Sequence, residues 1–136
     1  MPASTDVFGA RILIVDDQDC NVRLLLHTLR RGGHVAVSST TNPFAVAAMQ
    51  RENHYDLIIL DLQMPGMSGF EVMEGLLPVA GEEDGAAVLV LSADPSQEPR
   101  ALLAGASGFL SKPFRLTDVL DQARLLLQAR KPVASF

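Results

Sequence analysis

Five short aliphatic runs constrain the fold of this chain more than any other feature. They lie at residues 12–15, 35–37, 57–60, 86–91 and 109–110, and their starts are roughly 20 to 30 residues apart. That spacing leaves room for one helix after each run. Near-continuous aliphatic runs are typical of strands that are buried on both faces of a sheet. The sequence therefore predicts an α/β fold, a five-stranded parallel sheet with helices on both of its faces.

Helix signals fill the segments between the runs. The first segment carries Val22, Leu25, Leu26 and Leu29 at helical spacing and stops at Gly32-Gly33; Asn42-Pro43 opens the second, and Ser68 with Glu71 has capping-box spacing at the start of the third. A fourth, shorter helix is predicted over 96–104, and the last over about 117–130. The second run, which is flanked by polar side chains, is the best candidate for an edge strand.

Composition and charge exclude several classes of protein. Eleven Lys and Arg against 16 Asp and Glu give 11 − 16 = −5, and no basic cluster is present, which argues against a nucleic-acid-binding surface. Cys20 has no second cysteine to pair with, which favours a reducing cytoplasm. Residues 1–10 lack the pattern of a signal peptide, and no apolar run approaches the ~18 residues of a membrane span. We expect a cytoplasmic protein without membrane contact, with His27, His34 and His54 at its surface.

Polar side chains follow the predicted strands where each strand ends. Asp16-Asp17 follows the first run, Asp61 the third, Ser92 the fourth, and Lys112-Pro113 the fifth after Ser111. In an open parallel sheet the carboxyl ends of the strands share one edge, where ligands bind. We therefore expect three carboxylates, one hydroxyl and one ammonium group to converge on a single site.

Three clustered carboxylates need a partner of opposite charge. Two of them about 4 Å apart repel by roughly 1 kcal/mol in water and about 4 kcal/mol at an effective dielectric constant near 20. Such a cluster takes up a proton or binds a cation, and hard oxygen ligands suit Mg²⁺. A carboxylate can also act as a nucleophile and form an aspartyl phosphate. Phosphoryl transfer requires little beyond positioning and charge neutralisation, which a metal ion and a lysine provide.

The motifs together resemble a known family. Asp16-Asp17 after an aliphatic run, the stretch 60–69 (LDLQMPGMSG), Ser92-Ala93 and Lys112-Pro113-Phe114 are similar to the receiver (CheY-like) domain of two-component response regulators. The resemblance covers about residues 10 to 130. It implies a flavodoxin-like, doubly wound three-layer αβα fold with the strand order 2-1-3-4-5. It also implies an N-terminal extension over 1–10, a receiver domain over 11–130, and a tail or the start of a linker over 131–136.

The resemblance also assigns the phosphoacceptor and the metal ligands. Asp61 would accept a phosphoryl group from a phosphohistidine on a sensor histidine kinase or a histidine phosphotransfer protein. Asp17 would bind Mg²⁺ directly and Asp16 largely through water, with Asp61 and the backbone carbonyl of Gln63 as further ligands. Mn²⁺ is an alternative ion.

The remaining site residues are implied in the same way. Lys112 would pair with Asp61 and then with the phosphoryl oxygens, and the Ser92 hydroxyl would donate to the phosphoryl group after transfer. Phe109 holds the position of the family's switch aromatic, where the family has Tyr or Phe. The Lys112-Pro113 peptide bond is expected to be cis, against a base rate of only ~5–6% for X-Pro bonds.

These roles imply a signalling switch and not a metabolic enzyme, with only self-phosphorylation and autodephosphorylation as its chemistry. The implied output surface is the face of helix 4, strand 5 and helix 5, which would contact an effector domain or partner; a phosphorylation-dependent homodimer is left open. One alternative is a phosphatase of the haloacid dehalogenase type, but its Asp-x-Asp motif is absent because the first strand ends in Asp16-Asp17-Gln18. The other is a pseudo-receiver interaction module, against which the intact acidic residues argue.

Overall fold

The computed structural model describes residues 7–64, 66–76 and 85–129. Over these ranges five strands alternate with five α-helices. The strands are β1 (Arg11–Val15), β2 (Ala36–Thr40), β3 (Leu57–Asp61), β4 (Ala87–Ser92) and β5 (Gly108–Ser111), and the helices are α1 (Asp19–Arg31), α2 (Val46–Asn53), α3 (Gly69–Gly75), α4 (Glu98–Leu103) and α5 (Leu116–Ala129). Short 3-10 turns at Pro43–Ala45 and Pro95–Gln97 precede α2 and α4.

All strand pairs are parallel, and the order across the sheet is β2-β1-β3-β4-β5. The predicted fold class and strand order are confirmed, and β2 lies at one edge as expected. The predicted bounds of β2 were wrong, however. Val35 is 77% exposed and outside the strand, whereas Ser38 to Thr40 pair with Leu13 to Val15 of β1. Pairing with a buried neighbouring strand therefore extends β2 into polar residues that the aliphatic pattern left out.

The sheet separates two layers of apolar side chains. Ile12 and Ile14 of β1 face the layer that contains the buried residues of α1 and α5. Leu13 and Val15 face the opposite layer, which contains the buried residues of α2, α3 and α4. Successive side chains of a strand point to opposite faces, so a continuous aliphatic run is what a strand between two helical layers requires.

The helix ends follow the sequence signals closely. Ser68 and Glu71 form a complete capping box at the start of α3: the Glu71 N–H donates to the Ser68 hydroxyl at 3.3 Å and the Ser68 N–H to the Glu71 carboxylate at 3.1 Å. The Asn42 side chain accepts a hydrogen bond from the Phe44 N–H at 3.0 Å, but the segment that follows Asn42-Pro43 begins as a 3-10 turn and becomes α-helical only at Val46. Helix α1 ends at Arg31, before Gly32.

Parts of the predicted domain layout lie outside the described residues, namely 1–6 of the predicted extension, 65, 77–84 and 130 of the predicted receiver domain, and the predicted tail at 131–136. Within the described ranges, no helix combines the length and the apolar composition that crossing a bilayer requires.

The end of the sheet opposite the carboxyl ends is covered by the chain before β1. Val7 is buried in the core layer of α1 and α5, and the Val35 N–H donates to the Phe8 carbonyl at 3.1 Å. The Phe8 ring meets the His34 ring edge-on with centroids 5.3 Å apart. The expectation that His34 lies at the surface was wrong, because these contacts leave it only 3% exposed. His27 and His54 are exposed as expected.

Burial of His34 predicts a loss of stability in mild acid. Desolvation lowers the pKa of His34 below its ordinary value, and a hydrogen bond with the Val7 backbone offsets this only in part. Below about pH 6.5 the unfolded chain therefore binds more protons at this site than the folded chain, and the free energy of unfolding falls as the pH falls. In urea titrations between pH 7.5 and 5, His34→Phe should lose less stability than the wild-type protein. His27→Gln, at an exposed position, should follow the wild type; equal pH slopes for all three proteins would contradict the prediction.

Candidate functional site

The carboxyl ends of the strands bring the polar residues to one edge of the sheet. Asp61 is the last residue of β3, and Asp16 and Asp17 directly follow β1. The backbone N–H of Asp16 donates to the Thr40 carbonyl of β2 at 3.3 Å, and that of Lys112 to the Ser92 carbonyl of β4 at 2.7 Å. The sheet's hydrogen bonding thus continues into the loops and fixes where these loops leave the sheet.

Three carboxylates form the centre of this edge. One carboxylate oxygen from each of Asp16, Asp17 and Asp61 lies within 4.8 Å of the other two. Asp16 and Asp61 are buried, and Asp17 is half-buried. Burial removes the water that would otherwise screen the repulsion among these groups. The cluster therefore depends on neighbouring donors or on a bound cation.

Asp61 has a different donor at each carboxylate oxygen. The Lys112 ammonium nitrogen lies 3.3 Å from Oδ2, and the Gln63 backbone N–H donates to Oδ1 at 3.0 Å. The Lys112 side chain is one-third exposed, so solvent reaches the ion pair from the lysine side although the Asp61 carboxylate is buried. The ion pair places a positive charge directly against the Asp61 carboxylate.

Burial and neighbouring charges both act on the pKa of Asp16. Burial raises the pKa of Asp16 above its ordinary value, and the charges of Asp61 and Asp17 raise it further. A hydrogen bond from the Gln18 backbone N–H at 2.9 Å and the charge of Lys112 act in the opposite direction. The pKa of Asp16 therefore lies above its ordinary value even though both of these groups oppose the rise.

Asp17 provides a direct test of whether a cation fits. Its Oδ1 atom is buried and has no hydrogen-bond partner within the part of the chain that the structure describes. An unpaired buried carboxylate oxygen is costly, because it has lost its water without gaining a donor. A cation placed among the three carboxylates would satisfy it, and an all-oxygen ligand set is the kind that Mg²⁺ and Mn²⁺ prefer.

Ser92 ends β4 beside the cluster but is not bonded to it. Its side chain is fully buried; the hydroxyl donates to the Gln97 side-chain carbonyl at 2.8 Å and accepts from the Asp94 N–H at 3.0 Å. Among the described residues no hydrogen bond joins Ser92 to Asp61. The structure thus holds this hydroxyl against the 3-10 turn that leads into α4.

Two further sequence-predicted residues lie on or just after β5. Phe109 is half-buried and packs against the core layer of α2, α3 and α4. The peptide bond between Lys112 and Pro113 is cis. Beside Lys112 and Asp16 a cavity of about 240 Å³ has apolar walls that include Leu24, Pro113 and Leu116.

Sequence reasoning assigned no role to Gly69, the first residue of α3. A Cβ atom there would lie 2.7 Å from the Leu62 Cα atom and 3.0 Å from the Asp61 carbonyl oxygen, while the Gly69 N–H donates to the Leu62 carbonyl at 3.0 Å. The loop after Asp61 can close against α3 only because this position has no side chain. The sequence did contain a signal for this close approach, namely a glycine at the first helical position, directly after the helix cap Ser68.

Gln97 was also missed. It lies five residues after Ser92 and has no motif of its own, and only the 3-10 turn at Pro95–Gln97 brings its side chain back to the Ser92 hydroxyl.

Comparison with known proteins points to one family. The family profile described as the response regulator receiver domain matches residues 12–124. The chain is 36% identical over 126 residues to the transcriptional regulatory protein KdpE of Mycobacterium tuberculosis, a match that covers 91% of this chain and 53% of KdpE. It is 34% identical over 132 residues to the sensory/regulatory protein RpfC of Xanthomonas campestris pv. campestris, which covers 95% of this chain and 18% of RpfC.

Solved structures show the same similarity in three dimensions. The signal receiver domain of a response regulator from Bermanella marisrubri superimposes with a TM-score of 0.77 at 30% identity, over 88% of this chain and 98% of that domain. This chain spans about half the length, or less, of the curated relatives that it matches.

Proposed function

The chain belongs to the response regulator receiver domain family, and from that premise we propose that Asp61 accepts a phosphoryl group from a phosphohistidine. The donor is a sensor histidine kinase or a histidine phosphotransfer protein. The observation that carries the proposal is the pairing of buried Asp61 with Lys112 at 3.3 Å, next to two further carboxylates. The receiver domain proper extends over residues 11–130, an assignment supported by the match to the family over 12–124.

The transfer is an in-line displacement at phosphorus. A carboxylate oxygen of Asp61 forms a bond to phosphorus while the bond from phosphorus to the donor's imidazole nitrogen breaks, and the electron pair of that bond stays on the imidazole. Lys112 neutralises charge on the phosphoryl oxygens, since its ammonium group already lies against Asp61. The Gln63 N–H keeps the carboxylate oriented during the attack.

The acidic residues hold the divalent cation in this proposal. Asp17 and Asp61 would contribute carboxylate oxygens and Gln63 its backbone carbonyl, while Asp16 would act largely through water. The buried and unpaired Oδ1 of Asp17 supports this assignment. When bound, Mg²⁺ or Mn²⁺ supplies positive charge to the transferring phosphoryl group.

The output is a change at the face formed by α4, β5 and α5. The phosphoryl group carries about −1.5 to −2 charge and replaces the single negative charge of the Asp61 carboxylate; it draws the Ser92 hydroxyl toward it and alters the packing of Phe109. The exposed apolar side chains on this face, Leu103 at 90% exposure above all, support its role in contacting an effector domain or partner protein. The chain acts in the cytoplasm as a switch, with self-phosphorylation and autodephosphorylation as its only chemistry.

Incubation with a small phosphodonor and Mg²⁺ tests the proposal. We expect one phosphoryl group per chain, stable in acid and labile in alkali, with no uptake when a chelator removes the metal ion. Intact-mass spectrometry gives the stoichiometry, and free phosphate is measured in the same reaction. Release of many phosphates per chain would instead indicate the phosphatase alternative. A chain that takes up none would be a pseudo-receiver.

A further inference from the structure

The Ser92 hydroxyl is fully engaged away from the acidic cluster. A serine hydroxyl has one proton to donate. The short contact of 2.8 Å directs that proton to the Gln97 side-chain carbonyl; the Asp94 carbonyl, at 3.4 Å, is a much poorer acceptor. The Asp94 N–H occupies the acceptor side of the same hydroxyl at 3.0 Å.

We propose that Gln97 is a positioning residue that holds the Ser92 hydroxyl in the unphosphorylated arrangement and thereby sets how strongly the site binds a phosphoryl group. This inference rests on the proposed function, in which Ser92 donates its proton to a phosphoryl oxygen on Asp61. One proton cannot serve both acceptors, so the hydrogen bond to Gln97 must break before the one to the phosphoryl group forms. Binding of the phosphoryl group is weakened by whatever the Gln97 contact contributes.

The burial of the two side chains determines which arrangement, unphosphorylated or phosphorylated, is destabilised when the Ser92–Gln97 hydrogen bond is lost. Gln97 is half-exposed, so its carbonyl can exchange Ser92 for water when it is released. Ser92 is fully buried, and in the unphosphorylated protein its hydroxyl has no water to replace Gln97. Removal of the Gln97 carbonyl therefore destabilises the unphosphorylated arrangement and leaves the phosphorylated one nearly unaffected.

The turn that carries Gln97 is built to hold it in place. The Gln97 N–H donates to the Asp94 carbonyl at 3.1 Å. The Asp94 carboxylate in turn accepts from the Ser96 N–H at 3.0 Å and from the Ser96 hydroxyl at 2.6 Å. Gln97 directly precedes α4, so its side chain joins the end of β4 to the start of that helix.

Helix α4 also makes a side-chain contact with α3. The Arg100 guanidinium carbon lies 3.9 Å from the ring centroid of Phe70, the residue that follows Gly69 in α3. The Ser92–Gln97 bond and this cation–π contact thus tie α4 at two points one turn apart.

The test is a titration with beryllium trifluoride, which mimics a phosphoryl group bound to a carboxylate, in the presence of Mg²⁺. Gln97→Met keeps the length of the side chain and removes the acceptor. We expect it to bind the mimic about fivefold more tightly than the wild-type protein, which is the equivalent of about 1 kcal/mol for one hydrogen bond. Unchanged or weaker binding in a folded Gln97→Met protein would overturn the inference.

A double-mutant cycle separates the hydrogen bond from other effects of the substitution. In a Ser92→Ala background there is no hydroxyl proton to compete for, so Gln97→Met should change the affinity for the mimic by less than about 1.5-fold. Gln97→Glu places a stronger acceptor at the same position and should bind the mimic more weakly than the wild type, with part of that loss disappearing in the Ser92→Ala background. A fivefold gain that persists without the hydroxyl would also overturn the inference.

The same titration distinguishes failure of the inference from failure of the proposed function. If the wild-type protein binds no mimic, or binds it equally well after Asp61→Asn, the proposed function is wrong and the inference falls with it. If binding depends on Asp61 but is insensitive to Gln97, only the inference is wrong.

Discussion

Replacement of Asp61 by Asn is expected to abolish phosphoryl uptake completely. The two side chains have the same shape, and the Asn carbonyl can still accept the hydrogen bond from the Gln63 N–H that Asp61 accepts at 3.0 Å. The amide has no anionic oxygen to attack phosphorus, and it leaves Lys112 without its ion-pair partner. Labelling with a radioactive small phosphodonor and Mg²⁺ should therefore give no signal above background in Asp61→Asn, while circular dichroism shows a folded protein.

A matched substitution tests whether the loss is specific to the site. Asp121 lies on α5 with an exposed carboxylate, and its only ion pair among the described residues is a long contact of 3.8 Å to Arg124. Asp121→Asn removes the same charge at an exposed position outside the acidic cluster and should be labelled like the wild type. Label that persists in Asp61→Asn at the wild-type stoichiometry would assign the phosphoryl group to another residue.

The sequence contained most of the fold because the sheet is buried on both faces. Residues such as Ile12 to Val15 must be aliphatic on every position when helices cover both sides, and that requirement produces the runs from which five strands were predicted. The order of the strands, unlike their number, could not be predicted from the aliphatic runs. Spacing alone does not determine which strands are neighbours, and the order 2-1-3-4-5 came from resemblance to a family.

The residues of the candidate site also fall into those that the sequence predicted and those that it did not. Residues directly after a buried strand, such as Asp61 and Lys112, could be placed together because the carboxyl ends of parallel strands share an edge. Gln97 could not, since its contact with Ser92 depends on a 3-10 turn, which leaves no periodic signal. His34 was misplaced for a related reason: its burial comes from Phe8, in a segment before β1 that carries no aliphatic pattern.

The second large effect is expected at the cation site, where Asp17→Asn should weaken Mg²⁺ binding by about tenfold or more. The substitution removes one of the three negative charges and replaces the carboxylate whose buried Oδ1 atom lacks a donor by a neutral amide. Calorimetric titration with MgCl₂ measures the affinity directly. Asp19→Asn is the control, because Asp19 is also acidic and lies two residues further along, but its exposed carboxylate pairs with Arg23 at 2.8 Å.

Stability measurements give the same prediction a second and independent readout. A ligand that binds only the folded state raises the free energy of unfolding by RT ln(1 + [L]/Kd), so saturating Mg²⁺ should stabilise the wild-type protein and Asp19→Asn alike. Asp17→Asn should gain less, by about 1.4 kcal/mol for each tenfold loss of affinity. Without Mg²⁺ we expect Asp17→Asn to have a higher free energy of unfolding than the wild-type protein. Removal of the Asp17 charge relieves repulsion on Asp16, whose pKa is raised partly by that charge. An Asp17→Asn protein that is stabilised by Mg²⁺ as much as the wild type would exclude Asp17 as a ligand.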